Sequence, residues 1–447
     1  MQQLNLTEGT IWKTLVRFSL PVVLSSLLQS AYSLVDLILA GQFIGKSGMS
    51  AITNSGQVIL LLTQVIMGIT MGANVLIGQY YGAKDNESRA QTNRTLFSMS
   101  MIFGLVTAAL LFLWGKSLLR LLGAPALEEA TNYMRICALG LLPVFGYNAM
   151  SAMIRGVGNS KQPLYFISVT AGVNLVLDLI FMGLLGWGVS GAAWATVIAQ
   201  SLSFLIALVY TVGQKELYAI SLKNLTIHGD KLRAMLKLGI PSAVQMTLVG
   251  ISWLTMTFLI NYYGVEASAA SGISAKIKDL AQLFTIAMAS ATSTMVAQCL
   301  GAEQFERARS AVHIAMRVTL GVALFSITLV ELFAPSFVSI FGQDAQTSAL
   351  AVLNLRIEIM AQVFYAIFMI YNSLAIGAGH TTFALLSSIM NSIVARLILA
   401  LVLDHYFGLV GIFWACMIAP AASVPLGYFY ERSGVWRRSL ANEGLKT

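Results

Sequence analysis

Two carboxylates, an amide and a hydroxyl stand out in this 447-residue chain because of where they lie. Asp36, Asn174, Asp178 and Thr196 each sit inside a long apolar run. Ionisable groups in such runs are costly to bury, face the protein interior, and mark ion paths or proton relays. Asn174 precedes Asp178 by one helical turn, so the two share a face. The four side chains offer hard oxygen donors of the kind that hold Na⁺. The carboxylates equally suit proton carriage, because two acids close together in a low-dielectric site cannot both stay ionised cheaply. A hydrogen-bond cluster that serves structure alone is the third reading.

The elements that must position these residues follow from composition. The chain is 57% hydrophobic and 10% charged, with a mean hydropathy of +0.77. A soluble domain has roughly 45–50% apolar and about 25% charged residues. Too few charges remain to build a water-facing exterior, so lipid must cover it. A helix needs about 20 apolar residues to cross a bilayer. Cutting the apolar runs at Gly, Pro, Asn and charged clusters predicts twelve spans, over 14–43, 53–80, 94–115, 133–154, 163–186, 189–212, 236–263, 270–299, 311–333, 353–377, 382–403 and 408–430. The fold class is therefore an all-α integral membrane protein. Most of the 27 Lys and Arg fall on one side of these spans, among them Lys13, Arg17, Arg89, Lys223, Lys231, Arg233, Lys237, Arg307 and Lys446. Basic loops stay cytoplasmic, which puts both termini inside. With that orientation, Asp36, Asn174, Asp178 and Thr196 all lie roughly 10–12 Å below the outer boundary, at 1.5 Å per residue.

The chain repeats itself at an offset of about 220 residues. Pro21 meets Pro241, Gln79-Tyr80-Tyr81-Gly82-Ala83 meets Gln298-Cys299-Leu300-Gly301-Ala302, and Gly188-Val189-Ser190-Gly191 with Trp194-Ala195 meets Gly408-Leu409-Val410-Gly411 with Trp414-Ala415. Six spans per half return the chain to its starting side, so the repeat is parallel. Transporters built this way carry substrate between halves and alternate access by rocking them. The expected organisation is a lobe over 1–213, a cytoplasmic linker over 214–234 and a second lobe over 235–447.

The second half departs from the first. Asn391 corresponds to Asn174, yet Arg396 stands near the place of Asp178. Lys276, Lys278, Asp279, Arg356 and Glu358 lie at similar depth. The expectation is a polar cluster of Lys276, Asp279, Glu358 and Arg396, with Arg396 paired to Glu358 or Asp279. An Arg396 left unpaired in a cleft would favour an anionic substrate. The 20 methionines suit promiscuous apolar ligands and are also ordinary filler in apolar helices. Cys137, Cys299 and Cys416 lie far apart, with neither metal spacing nor a disulfide framework. A P-loop-like stretch from Ala40 to Ser47 lacks the strand and helix that a nucleotide cradle requires. The net charge of +8 is explained by the loop bias, so no nucleic-acid partner is expected.

Together, the run PVVLSSLLQSAYSLVDLILAG from Pro21, Gly78-Gln79-Tyr80-Tyr81-Gly82-Ala83, Arg155-Gly156-Val157-Gly158-Asn159 and the stretch 174–200 resemble the multidrug and toxic compound extrusion (MATE) family. The resemblance implies a V-shaped pair of six-helix lobes that exports organic cations or other amphipathic compounds in exchange for Na⁺ or H⁺. It also implies that Asp36, Asn174, Asp178 and Thr196 carry the coupling cation. Some relatives use acids on spans seven and ten instead. Span seven here has none and span ten has only Glu358.

The expected function is cation-coupled export of small amphipathic molecules, by a monomer in a bacterial cytoplasmic membrane, without cofactor and without enzymatic activity. A flippase for lipid-linked precursors, an exporter or importer of one metabolite, and a non-transporting structural or receptor role are the competing readings.

Overall fold

The computed structural model describes residues 4–121, 123, 126–220 and 225–438; for Lys46 and Ser47 it describes the backbone alone. Lys223, Lys446 and both chain termini lie outside the described residues. Among the described residues, twelve helices are long and apolar enough to cross a membrane, as the apolar runs predict. The first six are α1 (Ile11–Phe43), α2 (Gly45–Gly82), α3 (Asn86–Leu121), α4 (Leu127–Gly156), α5 (Lys161–Leu184) and α6 (Gly188–Gly213). The second six are α7 (Gly229–Asn261), α8 (Val265–Gly301), α9 (Phe305–Ser339), α10, α11 (Thr381–Phe407) and α12 (Leu409–Ser433). A turn at Met360 divides α10 into Ala345–Ile359 and Ala361–Ala378. Several helices outrun their expected spans: α2 and α3 continue through polar residues, because a helix that has crossed the hydrocarbon keeps its backbone bonds in the interface. The stretch expected as linker holds a helical turn, Lys215–Tyr218, and the first residues of α7.

Backbone contacts group the chain into two compact units whose borders are not those of the sequence repeat. One comprises Leu24–Ala243; the other comprises Leu4–Val23 together with the chain from Val244 onward. Each half thus lends the head of its first helix to the other unit, with the change near Pro21 and Pro241.

In the first unit α4 is central, packed on α2, α3 and α6. The head of α7 lies directly on α2. A Cβ placed at Gly68 would come within 2.4 Å of the Ala243 backbone, and one at Gly72 within 2.7 Å of the Gly239 nitrogen. Only glycine allows that approach. Side chains at the start of α3 hold the segment that leads into α7. Arg89 donates to the Glu216 carbonyl at 3.3 Å, Asn93 to that of Tyr218 at 3.0 Å and Arg94 to that of Ala219 at 3.1 Å.

In the second unit α8 is central, packed on α9 and both parts of α10. Arg307, near the start of α9, holds the segment leading into α1, donating to the carbonyls of Leu6, Glu8 and Gly9 at 3.2, 2.5 and 3.0 Å. The glycine motif shared by the halves also has a structural cause. A Cβ at Gly191 would lie 3.0 Å from the Phe181 carbonyl, and one at Gly411 2.1 Å from that of Leu403.

Candidate functional site

Asp36 sits in the second half of α1, within the first unit, one turn after Tyr32. Asp178 is the last α-helical residue of α5 before a wide π-helical turn, Leu179–Leu184. Such turns shift the register of the following side chains and recur at functional positions. The turn also brings α5 against α1: a Cβ at Gly183 would meet the Phe43 ring at 3.2 Å. Asp36 and Asp178, far apart in the chain, come close enough for their carboxyl groups to interact.

Asp178 is 1% exposed and Asn174, one turn below it, 3%. Oδ1 of Asp36, both carboxyl oxygens of Asp178 and Nδ2 of Asn174 are buried with no hydrogen-bond partner among the described residues. Two ionised carboxylates are acceptors only, so a pair this close is costly unless a proton or a cation offsets its charge. Thr196, half-buried on α6, donates its hydroxyl proton to the Ala192 carbonyl at 3.0 Å. Its helix packs on α5, with Ala192, Ala193 and Met182 in one apolar core. The two carboxyl groups that the structure brings together offer hard oxygen donors, which suit a hard cation or a proton.

Tyr32, Tyr133 and Cys137 lie within electrostatic range of Asp36. Tyr32 was legible as the residue one turn from Asp36. Tyr133 and Cys137 stand on α4, and no local pattern in the sequence ties them to the site.

The cluster expected in the second half differs from its prediction. Glu358 forms a buried ion pair with Lys278, not with Arg396. Arg396, 5% exposed, lies over the Trp253 ring at 4.4 Å from its centre, where Lys278 also lies, at 4.3 Å. It donates to Ser252 Oγ at 3.3 Å, and its Nε has no partner. Asp279 and Lys276 occupy exposed positions on α8, and neither is paired with Arg396. The reason is geometric. Lys278 and Glu358 face each other across α8 and α10, and the aromatic face of Trp253 on α7 is the surface left to the guanidinium. A second π-helical turn, Met390–Ala395, directly precedes Arg396. Arg356 pairs outside this cluster, with Glu331 at 3.5 Å.

Comparison with known proteins identifies the family and the fold. The MatE family matches residues 21–180 and again 241–402, so each match begins at the proline that opens a repeat. A relative from Bacillus subtilis, named probable multidrug resistance protein YoeA, is 28% identical over 97% of this chain and 96% of its own length. The probable multidrug resistance protein NorM of Thermotoga maritima is 26% identical over 98% and 96%. Among solved structures, an outward-facing multidrug resistance MATE family transporter of the MOP superfamily superposes with a TM-score of 0.91 over 97% of this chain and 98% of that one, at 23% identity. That likeness concerns the fold. Two matched repeats, covering more than half of the chain, place this protein in the multidrug and toxic compound extrusion family of membrane transporters.

Proposed function

We propose that the protein exports amphipathic organic cations by alternating access, driven by Na⁺ or H⁺ moving inward through Asp36, Asn174, Asp178 and Thr196. The observation that supports this reading is the approach of two carboxyl groups from different helices, with Oδ1 of Asp36 and both oxygens of Asp178 buried and, among the described residues, without a hydrogen-bond donor. One inbound cation or proton neutralises the pair, and its departure leaves repulsion that α1 and α5 relieve by moving apart. That exchange gives the site two states, as coupling requires. The same proposal places the chain as a monomer in a bacterial cytoplasmic membrane with both termini inside, as two repeats over 1–213 and 235–447 joined by the 214–234 linker.

Efflux of ethidium from proteoliposomes, driven by an imposed Na⁺ or H⁺ gradient, tests the reading. Gradient-driven transport in wild type, reduced at least tenfold in both Asp36→Asn and Asp178→Asn, is the expected result. Full coupling in either variant removes the proposed site. One observation favours a second reading, a flippase or an exporter of one anionic metabolite: two buried cations, Lys278 and Arg396, share the Trp253 ring in the second unit, and the buried carboxylate of Glu358 pairs with Lys278 alone. Gradient-dependent movement of anionic but not cationic probes would select it.

A further inference from the structure

The head of α7 displays a basic pair that the protein itself does not use. Lys231 is engaged within the first unit, reaching Ser88 at 3.1 Å, Tyr80 at 3.3 Å and Asp230 at 3.4 Å. Arg233 and Lys237 are exposed, and their side chains make no hydrogen bond or ion pair with any described residue. They stand one turn apart, about 6 Å along the helix axis. Both border a groove of about 520 Å³ whose other walls include Leu232, Leu236, Ile240 and Pro241. The groove is charged where the helix begins and apolar where it enters the membrane.

The head of α1 repeats the pattern 220 residues earlier. Lys13 and Arg17 take the places of Arg233 and Lys237, Leu20 that of Ile240, and Pro21 that of Pro241. The exposure pattern repeats too: Lys13, Arg17 and Leu20 are exposed, whereas Leu15, Phe18 and Ser19 are buried. Lys13 lies 5.8 Å from the centre of the Trp12 ring, itself 51% exposed. Tryptophan at such a position marks the headgroup level of a membrane. The repeat has diverged in much of its sequence, yet it keeps one exposed cation pair over one apolar stripe on each helix that passes from one unit to the other.

We propose that each pair binds the phosphate of an anionic phospholipid of the cytoplasmic leaflet, with an acyl chain along the apolar stripe; on α7 this chain lies in the groove formed by Leu232, Leu236 and Ile240. A lipid fits where a soluble anion does not, because the cations lead directly into apolar wall. The assignment to that leaflet rests on the orientation proposed above, while lipid binding itself does not depend on what is exported. Each nearby cation contributes about 1 kcal/mol toward an anionic surface, so loss of a pair lowers affinity about 30-fold.

The test is native mass spectrometry of the detergent-purified chain titrated with phosphatidylglycerol and with phosphatidylcholine. Phosphatidylglycerol binding by wild type in preference to phosphatidylcholine is expected, with a loss of about 30-fold at one site in R233Q/K237Q and at the other in K13Q/R17Q. The variant K116Q/R120Q removes an exposed basic pair with the same spacing at the far end of α3, and it should retain binding within twofold. Equal binding of the two lipids, an unchanged R233Q/K237Q, or an equal loss in K116Q/R120Q overturns the proposal. So does displacement of the lipid by inorganic phosphate at the same concentration, which would mark an anion site rather than a lipid site. Because the readout is binding in detergent, failure of the export reading leaves it untouched.

Discussion

Replacing Lys278 by methionine should destabilise the second unit far more than removing the whole ion pair. The two side chains are 5% and 6% exposed, so neither charge is hydrated. Lys278→Met leaves the Glu358 carboxylate buried without its partner, a change that costs 3–5 kcal/mol in comparable sites, roughly. The lost contact with Trp253 adds about 1 kcal/mol. In a unit of this size, about 4 kcal/mol lowers the melting temperature by on the order of 10 °C. The double variant K278M/E358L removes both charges and fills their volume with apolar atoms. It should melt within a few degrees of wild type, since buried pairs rarely outperform good apolar packing. Thermal melting of the four proteins in one detergent closes a double-mutant cycle, with an expected coupling of about 3 kcal/mol. If the double variant falls as far as K278M, the two residues do not act as a pair. If the cycle between Arg396 and Glu358 gives the larger coupling, the guanidinium rather than the ammonium neutralises Glu358, and the arrangement described here is wrong.

Other outcomes follow from single contacts. Arg307→Ala unties three carbonyls of the segment Leu6 to Gly9; limited proteolysis should cut there faster, with a stability loss of about 1–2 kcal/mol for bonds that are partly solvated. Gly411→Ala drives a methyl to 2.1 Å from the Leu403 carbonyl, whereas Gly191→Ala meets that of Phe181 at 3.0 Å. Gly411→Ala should therefore cost about 3 kcal/mol or more and Gly191→Ala about 1 kcal/mol, by melting. Asp344 caps α10, accepting from the backbone N–H groups of Gln346 and Thr347 at 3.0 Å each. The bonds from Thr347, and then that from Gln346, hold its carboxyl below the ordinary 3.8. A lowered carboxyl stabilises the folded state above 3.8 and loses that effect as pH falls through the folded value. Amide exchange at Gln346 and Thr347 should accelerate with acid in wild type relative to D344A, and an identical pH profile in the two proteins would exclude the cap.

The sequence by itself determined the membrane character, the number of spans and the repeat, and it singled out Asp36, Asn174, Asp178 and Thr196 as the candidate donors of the first half. Those follow from local quantities: run length, charge density, one-turn spacing and self-similarity at a fixed offset. Depth along a span is also local, which is why Asp36 and Asp178 could be set at one level before any contact was known. Tertiary structure alone decided which residues meet at that level. It brought Asp178 near Asp36, ended the regular helix at Asp178 in a π-helical turn that no composition announces, and set Tyr133 and Cys137 of α4 within electrostatic range of Asp36. In the second half it gave Glu358 to Lys278 and left Arg396 on Trp253. Among several charges at one depth, the partner is chosen by helix rotation and by which bulky side chain stands between them. The exchange of helix heads near Pro21 and Pro241 belongs to the same class. It depends on α2 glycines that let the α7 backbone approach, and a one-dimensional pattern does not record which backbone will come.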